Sequence, residues 1–152
     1  MNQHTAVKDW MLTFGQATPA KPGFPSDEVV TLRFDLILEE LGELGDAMDA
    51  KDLTAVADAL ADLLYVVHGA NVAFGLNGDA VFQLVHESNM AKLWTNAEVC
   101  SQAPEFWIDH NYRQIPEQQR YIVRRTDGKI CKPPSWNKPA IAELLDAGTK
   151  QE

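Results

Sequence analysis

The chain is poor in cysteine and in basic residues. Cys100 and Cys131 are its two cysteines among 152 residues, too few for a disulfide scaffold and without the paired spacing of a zinc site. We expect reduced thiols in a cytoplasmic protein, with one disulfide as the alternative. The 13 lysines and arginines face 22 acidic residues, for a net charge of -9. So acidic a chain argues against nucleic-acid binding, but not against a small phosphorylated ligand, because bound metal ions invert the local charge.

Long uninterrupted apolar runs are also missing. The N-terminal segment MNQHTAVKDW has no basic region followed by an apolar stretch, so we expect no signal peptide. The apolar stretch around Leu63 is interrupted by Asp62, His68 and Asn71, which leaves it too short and too polar to span a membrane. We therefore expect a single domain over residues 1–152 with no membrane partner.

Helical periodicity dominates what is present. Apolar spacing and turn signals predict helices at about 6–14, 26–50, 52–75, 80–93 and 141–145. Ser26 and Asp52 are the predicted N-caps of the second and third helices. Residues 95–119 have mixed polarity and look like an insertion with short helical pieces. Asp127-Gly128 is a hairpin turn signal, so the class is all-α with a possible small C-terminal hairpin.

The predicted core uses the apolar faces of these helices. Trp10 and Phe14 are expected in the core, although either ring, or Trp136, has the alternative of stacking on a base. The second helix has an apolar stripe at four positions, Ile37, Leu41, Leu44 and Met48. Gly42 and Gly45 in the same helix indicate either close helix packing or room for a ligand beside the neighbouring acids.

Acidic residues recur at helical spacing on two successive helices. Glu40 and Glu43 project from one face of the second helix, with Glu39 one step around it, and Asp58 and Asp62 share a face of the third. The short loop near Lys51 favours antiparallel packing, which would bring these acids together. Such hard oxygen ligands suit Mg²⁺ or Mn²⁺. The alternative is a solvated acidic face, which we prefer for three other acids, Asp35, Asp46 and Asp49.

Asp62 is the strongest indication that these acids bind a cation. It is the only formally charged residue between Ala59 and Gly75. A carboxylate inside so apolar a helix costs on the order of several kcal/mol unless it is paired. No lysine or arginine lies nearby in sequence, whereas a divalent cation shared with Glu40 and Glu43 would pair with it.

The basic residues cluster near the C-terminus. Arg124, Arg125, Lys129 and Lys132 could close over a triphosphate, and a charged hairpin in solvent is an equal alternative.

Three segments resemble the MazG-like all-α nucleoside triphosphate pyrophosphohydrolases. They are LEELGEL, ADALADLLYVVHGA and HESNMAKL, which together cover about residues 32–93. Asp-Gly-Lys at 127–129, with Lys132-Pro133 and Trp136, is similar to the tail of some members. The superfamily also holds phosphoribosyl-ATP pyrophosphohydrolase and dimeric dUTPase. The resemblance implies a helical bundle completed by oligomerisation.

The family pattern E-E-x-x-E followed by E-x-x-D is matched with one departure. Glu39, Glu40 and Glu43 match its first half and Asp62 matches its last position, but Ala59 stands where the family usually has Glu. Asp58, one residue earlier, is the nearest replacement and is expected to take that place with a different geometry, and the alternative is a site that holds fewer ions with more water. The predicted metal ligands are therefore Glu40, Glu43, Asp58 and Asp62.

The resemblance implies that a (deoxy)nucleoside triphosphate is cleaved to its monophosphate and pyrophosphate. The carboxylate that is least engaged with metal can serve as general base, and Glu39 or Glu43 is the candidate. Asn89 and Lys92, three apart on the fourth helix, are implied contacts to the nucleotide, and we add Lys129 and Lys132 as substrate-binding residues. His86 could join them. For Asn89 and Lys92 the alternative is an exposed polar face, and for His86 a structural hydrogen bond.

The oligomeric state, the cellular role and the alternative protein classes complete the expectations. The apolar third helix predicts a homodimer or homotetramer with that helix near the interface. We expect control of the nucleotide pool, with a slight preference for dGTP or GTP that no single residue supports. A helical dimerisation or nucleotide-binding module that has lost catalysis is the alternative. A di-iron carboxylate bundle is rejected, since the chain has no Glu-x-x-His motif.

Overall fold

The computed structural model of the chain describes residues 2–149, with side chains as far as residue 147. It divides into two compact units. Of the described residues, the first unit contains 2–81 and 141–149, and the second runs from Phe82 to Ala140. Helices predominate and a small antiparallel hairpin lies in the second unit, so the predicted all-α class with a minor hairpin is confirmed. The predicted insertion at 95–119 lies within the second unit, and the single domain stays a prediction.

The first unit is built from four helices and the start of a fifth. They are α1 (Gln3–Thr13), α2 (Asp27–Asp49), α3 (Leu53–Ala73) and α6 (Ile141–Thr149), with α4 (Gly78–Met90) entering the second unit at Phe82. Asn2 caps α1 by accepting a hydrogen bond from the Thr5 amide. Asp52 caps α3 as predicted, accepting from the amides of Thr54 and Ala55. Ser26 stands at the N-cap of α2, but its side chain makes no capping hydrogen bond.

A tight connection folds α3 back along α2. Lys51 adopts a left-handed conformation with φ of 57°, and the Asp52 amide donates to the Ala47 carbonyl at 3.1 Å. This geometry closes the end of α2 and starts α3 at once. α1 also packs on α3, where Val7 and Met11 meet Val72 in the core of this unit. Helical pairing thus places the acids of α2 beside those of α3.

The proline-rich connection between α1 and α2 is held against the end of α3. Gly75 has φ of +65°, and a Cβ there would lie 2.2 Å from the Lys21 carbonyl oxygen. The Gly23 amide donates to the Phe74 carbonyl at 3.0 Å. Glycine is required at position 75 both for its conformation and for this close approach. The connection therefore forms a fixed wall rather than a free loop.

The second unit packs around three buried side chains, Trp94, Val99 and Val123. It contains the rest of α4, then α5 (Asn96–Cys100), β1 (His110–Ile115) and β2 (Arg120–Arg125). The strands pair in antiparallel register with Tyr112 opposite Val123. A short 3-10 turn at Pro116–Gln118 joins them, so the main hairpin turn differs from the predicted Asp127-Gly128. That dipeptide does form a second tight turn, in which the Arg125 amide donates to the Lys129 carbonyl.

α3 meets the length and composition requirements of a membrane-spanning helix, and little of it is buried within the chain. The core helix of a water-soluble protein can have the same composition, so one such helix is weak evidence for a membrane. The absence of a membrane partner stays a prediction.

Candidate functional site

The acid cluster consists of five carboxylates on α2 and α3. Glu40 is partly buried, while Glu39, Glu43, Asp58 and Asp62 are exposed. Desolvation raises the pKa of the Glu40 carboxyl, and the negative charges of Glu43, Asp62, Glu39 and Asp58 raise it further. Acids from both helices therefore lie close enough to repel one another. This is the electrostatic condition in which a cation is stabilised.

The burial expected of Asp62 is wrong for the single chain. Asp62 is exposed, whereas Ala59, one turn earlier, is 4% exposed and is the buried residue of this stretch. The apolar composition of α3 indicated that Asp62 is buried, but much of the surface of this helix is not covered by other parts of the chain. The cost of burying a charge is therefore no reason to place a cation at Asp62. The case for Asp62 as a cation ligand depends instead on the other acids near it.

The donors of the cluster suit a hard divalent cation, although their arrangement around it stays a prediction. Within residues 2–149, no three His, Cys, Asp or Glu side chains surround a common point closely enough to hold an ion. The available donors are carboxylate oxygens, the ligands that Mg²⁺ and Mn²⁺ prefer. A cation would also remove the repulsion felt by Glu40. The donor chemistry therefore fits such an ion, while the described side-chain positions do not form a complete site, and Glu40, Glu43, Asp58 and Asp62 stay the predicted ligands.

A cavity of about 370 Å³ opens beside the acid cluster, and we call it the acid cavity. Glu40 of α2 and Asp62 of α3 both line it. Its other walls come from α1, α2, α3 and the start of the connection, and include Trp10, Gln16, Arg33 and Tyr65. Its volume lies in the range of small-molecule sites. The two acids thus face a space of small-molecule size.

A second cavity, of about 820 Å³, lies between the proline-rich connection and α2, and we call it the connection cavity. Apolar groups such as Phe24, Pro25 and Val29 line it. Gln16, Leu32 and Arg33 belong to the walls of both cavities. The two spaces therefore adjoin one another at these three residues.

Arg33 was not singled out from the sequence, yet it is a buried charged side chain at this shared wall. It is 7% exposed, and its Nη2 donates to Gln16 Oε1 at 2.5 Å. A signal was available: Glu40 follows Arg33 by seven positions, which places both on one helix face. An arginine on the inward face of an amphipathic helix is unusual and could have been noticed.

Several predicted core positions are exposed. Trp10 and Phe14 are 40% and 64% exposed and lie against each other with ring centroids 4.6 Å apart. Val7 and Met11 form the core instead. The apolar stripe predicted on α2 is buried only in part, because Leu44 is buried whereas Leu41 and Met48 are exposed.

Gly42 and Gly45 do not mark close packing within the chain. A Cβ at either position would meet nothing within 4 Å. The close packing of helices expected as one alternative is therefore wrong for the single chain. The other interpretation of these glycines, room for a ligand beside the acids, stays a prediction.

The predicted substrate-binding residues lie in the second unit, whereas the acids lie in the first. Lys92 Nζ donates to Asn89 Oδ1 at 2.6 Å, so these two do act as a pair. Lys132 Nζ lies 3.7 Å from the centroid of the Trp136 ring, and Lys129 is exposed. Their roles stay predictions.

Two other residues considered for substrate contact have partners of their own. Arg125 forms an ion pair with Asp127. His86 is exposed and stacks over Phe82.

The helical fold and the paired acids define a protein of the MazG-like class. The sequence pattern of phosphoribosyl-ATP pyrophosphohydrolase matches residues 7–89, more than half of the chain. The chain therefore belongs to the phosphoribosyl-ATP pyrophosphohydrolase family, within the MazG-like superfamily. The match contains α2, α3 and most of α1 and α4, and so includes every member of the acid cluster.

A relative is found in a giant virus. The chain is 42% identical over 82 residues to an uncharacterized protein of Acanthamoeba polyphaga mimivirus. The aligned region covers 50% of this chain and 32% of the viral protein. The chain thus spans about a third of the length of the curated relative that it matches.

Proposed function

We propose that the chain is a metal-dependent nucleoside triphosphate pyrophosphohydrolase, which converts a (deoxy)nucleoside triphosphate and water to the monophosphate and pyrophosphate. The observation that carries the proposal is the meeting of acids from α2 and α3 at one cavity, which Glu40 and Asp62 both line, and the raised pKa of Glu40 agrees with it. A phosphoribosyl-ATP pyrophosphohydrolase domain supports cleavage of a phosphoanhydride in general. Opposed carboxylates beside a cavity are the arrangement that such a reaction needs.

The acids of the cluster divide into two roles in this proposal. Glu40, Glu43, Asp58 and Asp62 hold Mg²⁺ or Mn²⁺, which when bound neutralises phosphate charge and lowers the pKa of a nearby water. Glu39 or Glu43 accepts a proton from the attacking water as general base. Both are exposed on α2 and can reach solvent. Glu39 is our preferred base because it is not among the four proposed ligands.

The second unit by itself carries the residues predicted to contact the substrate. Asn89 orients the Lys92 ammonium group through their hydrogen bond. Lys129 and Lys132 complete the set, with Lys132 held over the Trp136 ring. Arg125 is left out, because Asp127 already neutralises it. These cations would offset the charge that a triphosphate brings to an acidic protein.

A homodimer or homotetramer is proposed on the basis of two exposed apolar stripes. On α2 the stripe contains Phe34, Leu38, Leu41 and Met48, and on α3 it contains Leu53, Leu60, Leu64 and Val67, all more than a third exposed. Both follow the spacing of three, four and seven residues that forms helix-to-helix seams. Gly45 lies within the α2 stripe and has open space above it. Apolar patches of this kind mark association surfaces.

One observation favours a second candidate, a nucleotide-binding or dimerisation module without catalysis. Ala59 stands where the family usually has Glu, and its side chain is buried. The chain then lacks one acid unless Asp58, which contributes to the field at Glu40, takes its place.

Pyrophosphate release from a panel of the eight common ribo- and deoxyribonucleoside triphosphates, with dUTP added, tests the proposal. Each is measured with Mg²⁺, with Mn²⁺ and with chelator. We expect metal-dependent release from one or two nucleotides, dGTP or GTP first, in keeping with a cytoplasmic role in nucleotide-pool control. Folded protein that releases nothing from any of them would favour the non-catalytic module.

A further inference from the structure

Arg33 carries a buried charge with little to compensate it. Its side chain is 7% exposed, and in the part of the chain that the structure describes no carboxylate pairs with it. Nη2 donates to Gln16 Oε1 at 2.5 Å and approaches Met11 Sδ at 3.9 Å, while Nε has no partner. A buried unpaired charge destabilises a fold. Arginine stays protonated under all ordinary conditions, so it cannot escape this penalty by losing its proton.

The fold makes room for this guanidinium group. A Cβ at Gly69 of α3 would lie 3.1 Å from Arg33 Nη1. A larger residue there would press on the guanidinium, so the glycine keeps its place open. Arg33 and Gln16 also stand at the wall common to the acid cavity and the connection cavity. Arg33 therefore lies at the wall of a space large enough for a small ligand, although most of its side chain is buried.

The position of Arg33 relative to the acids suits the length of a nucleotide. Arg33 and Glu40 lie two turns apart on the same face of α2, about 10 Å along the helix axis, and both line the acid cavity. A nucleotide whose phosphates lie at the acid cluster would extend its sugar and base away from it. The base is then the part of the ligand at the level of Arg33.

The groups offered at this wall are hydrogen-bond donors. Arg33 has no acceptor atom. Gln16 uses its carbonyl oxygen to accept from Arg33, which leaves its amide N–H groups available as donors. Donors select a base edge rich in acceptors. Guanine presents O6 and N7 side by side and matches an arginine fork, whereas adenine places an amino donor beside its N7.

We propose that Arg33, held by Gln16, recognises the nucleobase and selects bases with a carbonyl-bearing acceptor edge, guanine first. The inference rests on the proposed function, because it takes the phosphates to lie at the acid cluster. Leu32 and the apolar wall of the connection cavity supply the remaining surface for the base.

Calorimetric titration of the full chain with GMP and AMP, with Mg²⁺ present, tests the inference by binding alone, because neither monophosphate has a phosphoanhydride to be cleaved. We expect GMP to bind wild type roughly 10-fold to 100-fold more tightly than AMP, the scale of one bidentate base contact. Arg33→Met should lose this preference by weakening GMP and leaving AMP nearly unchanged. Arg113→Met is the matched control, since Arg113 is exposed on β1 and lines neither cavity. It should keep the preference.

Thermal unfolding separates recognition from a structural role. Arg33→Met removes an uncompensated buried charge, so its melting temperature should equal or exceed that of wild type. If this variant does not fold, Arg33→Lys decides, because lysine keeps the charge and loses the planar fork. We expect the lysine variant to fold and to bind GMP no more tightly than AMP.

The outcomes separate this inference from the proposed function. A guanine preference that survives Arg33→Lys, equal weakening of GMP and AMP, or no GMP binding by wild type would overturn the inference, whether or not pyrophosphate is released. Arg33-dependent binding of GMP in a protein that releases no pyrophosphate would support the inference and contradict the proposed activity.

Discussion

Glu40 in the helical unit and Glu98 in the second unit are both partly buried glutamates, yet their pKa values shift in opposite directions. Desolvation and four neighbouring acids raise the pKa of Glu40. Desolvation also opposes ionisation of Glu98, but hydrogen bonds from Ser135 and Thr95 outweigh it and lower its pKa to about 2. The Glu40 carboxylate has neighbouring acids that oppose its charge, whereas the Glu98 carboxylate has hydrogen-bond donors within its own unit.

The same contrast extends to the two units as a whole. The helical unit keeps an unpaired Arg33 and two exposed apolar stripes. In the second unit, Trp94 is buried and its indole N–H donates to the Cys131 carbonyl at 3.0 Å. Unsatisfied groups cost stability and persist where a ligand or partner supplies what is missing. The helical unit is therefore where we expect binding and catalysis, and the second unit is where we expect self-sufficient stability.

The largest expected effect is on turnover. Glu43→Gln and Asp62→Asn should each reduce pyrophosphate release by about 100-fold or more, because each removes a charge from the proposed cation site. Both residues are exposed, so the fold should survive. Asp49→Asn, an exposed acid at the end of α2 that does not contribute to the field at Glu40, is the control. Full activity in both site variants would remove the acid cluster from the mechanism.

Asp58→Asn tests the fourth ligand separately. Loss of an outer-shell partner costs roughly 10-fold to 100-fold in metal affinity, and loss of a ligand group should cost at least as much. Metal titration of pyrophosphate release measures this cost. An unchanged metal requirement would mean that Asp58 does not replace the family Glu missing at Ala59.

The next largest effect is expected on the oligomeric state, measured as molar mass in solution. Light scattering should give a dimer or tetramer for wild type, and Leu64→Glu should give a monomer, because it places a charge within the apolar stripe of α3. Leu12→Glu is a control of the same type, since Leu12 is 55% exposed on α1 and lies outside both stripes. A wild-type monomer at working concentrations would refute the proposed assembly.

A smaller effect is expected at Glu98. Its carboxylate accepts from Ser135 Oγ at 2.6 Å and from the Thr95 amide at 2.8 Å. Glu98→Ala should lower the free energy of unfolding by about 1–3 kcal/mol, since it strands these donors. Tryptophan fluorescence follows the melting, and Glu105→Ala, an exposed glutamate of the same unit, is the control.

The pH dependence of the second unit follows from the lowered pKa of Glu98. Because the folded value of about 2 lies below the ordinary value of 4.5, the folded state favours the ionised form. Its contribution to stability is full above pH 4.5 and is lost as the pH falls from there toward 2. Glu98→Gln should flatten the stability profile in this window. A profile as steep as that of wild type would contradict the assignment.

Helix periodicity and capping residues were enough to predict the helices, while contacts with no sequence signature were not predictable. Asp52 caps α3 as expected because an N-cap acts within its own turn. β1 was missed because HNYRQI shows no alternation of apolar and polar residues. Trp10 was misassigned because periodicity shows which residues share a face, but not which face meets a neighbour. Arg33 depends on Gly69 and Gln16, distant in sequence, and no local pattern joins them.

The acid cluster itself was visible because its spacing is local to each helix, and the short loop at Lys51 implied that the helices meet. The mutual repulsion at Glu40 needed the structure, since it depends on how α3 packs against α2. The exposure of Asp62 was likewise beyond the sequence, because apolar neighbours on a helix do not reveal whether another surface covers them.

The most direct test of the central claim is the melting temperature of metal-free protein as Mn²⁺ is added, with wild type beside Glu40→Gln. The folded pKa of Glu40 is raised, so its ionised form disfavours the folded state and stability falls as the pH rises above its ordinary value of 4.5. At pH 7 the metal-free variant should therefore melt slightly higher than wild type. Added Mn²⁺ should raise wild type by several degrees, through about 3 kcal/mol at a hundredfold excess over its dissociation constant, and should raise the variant much less. No rise in wild type, or an equal rise in both proteins, would contradict a cation site built on these acids.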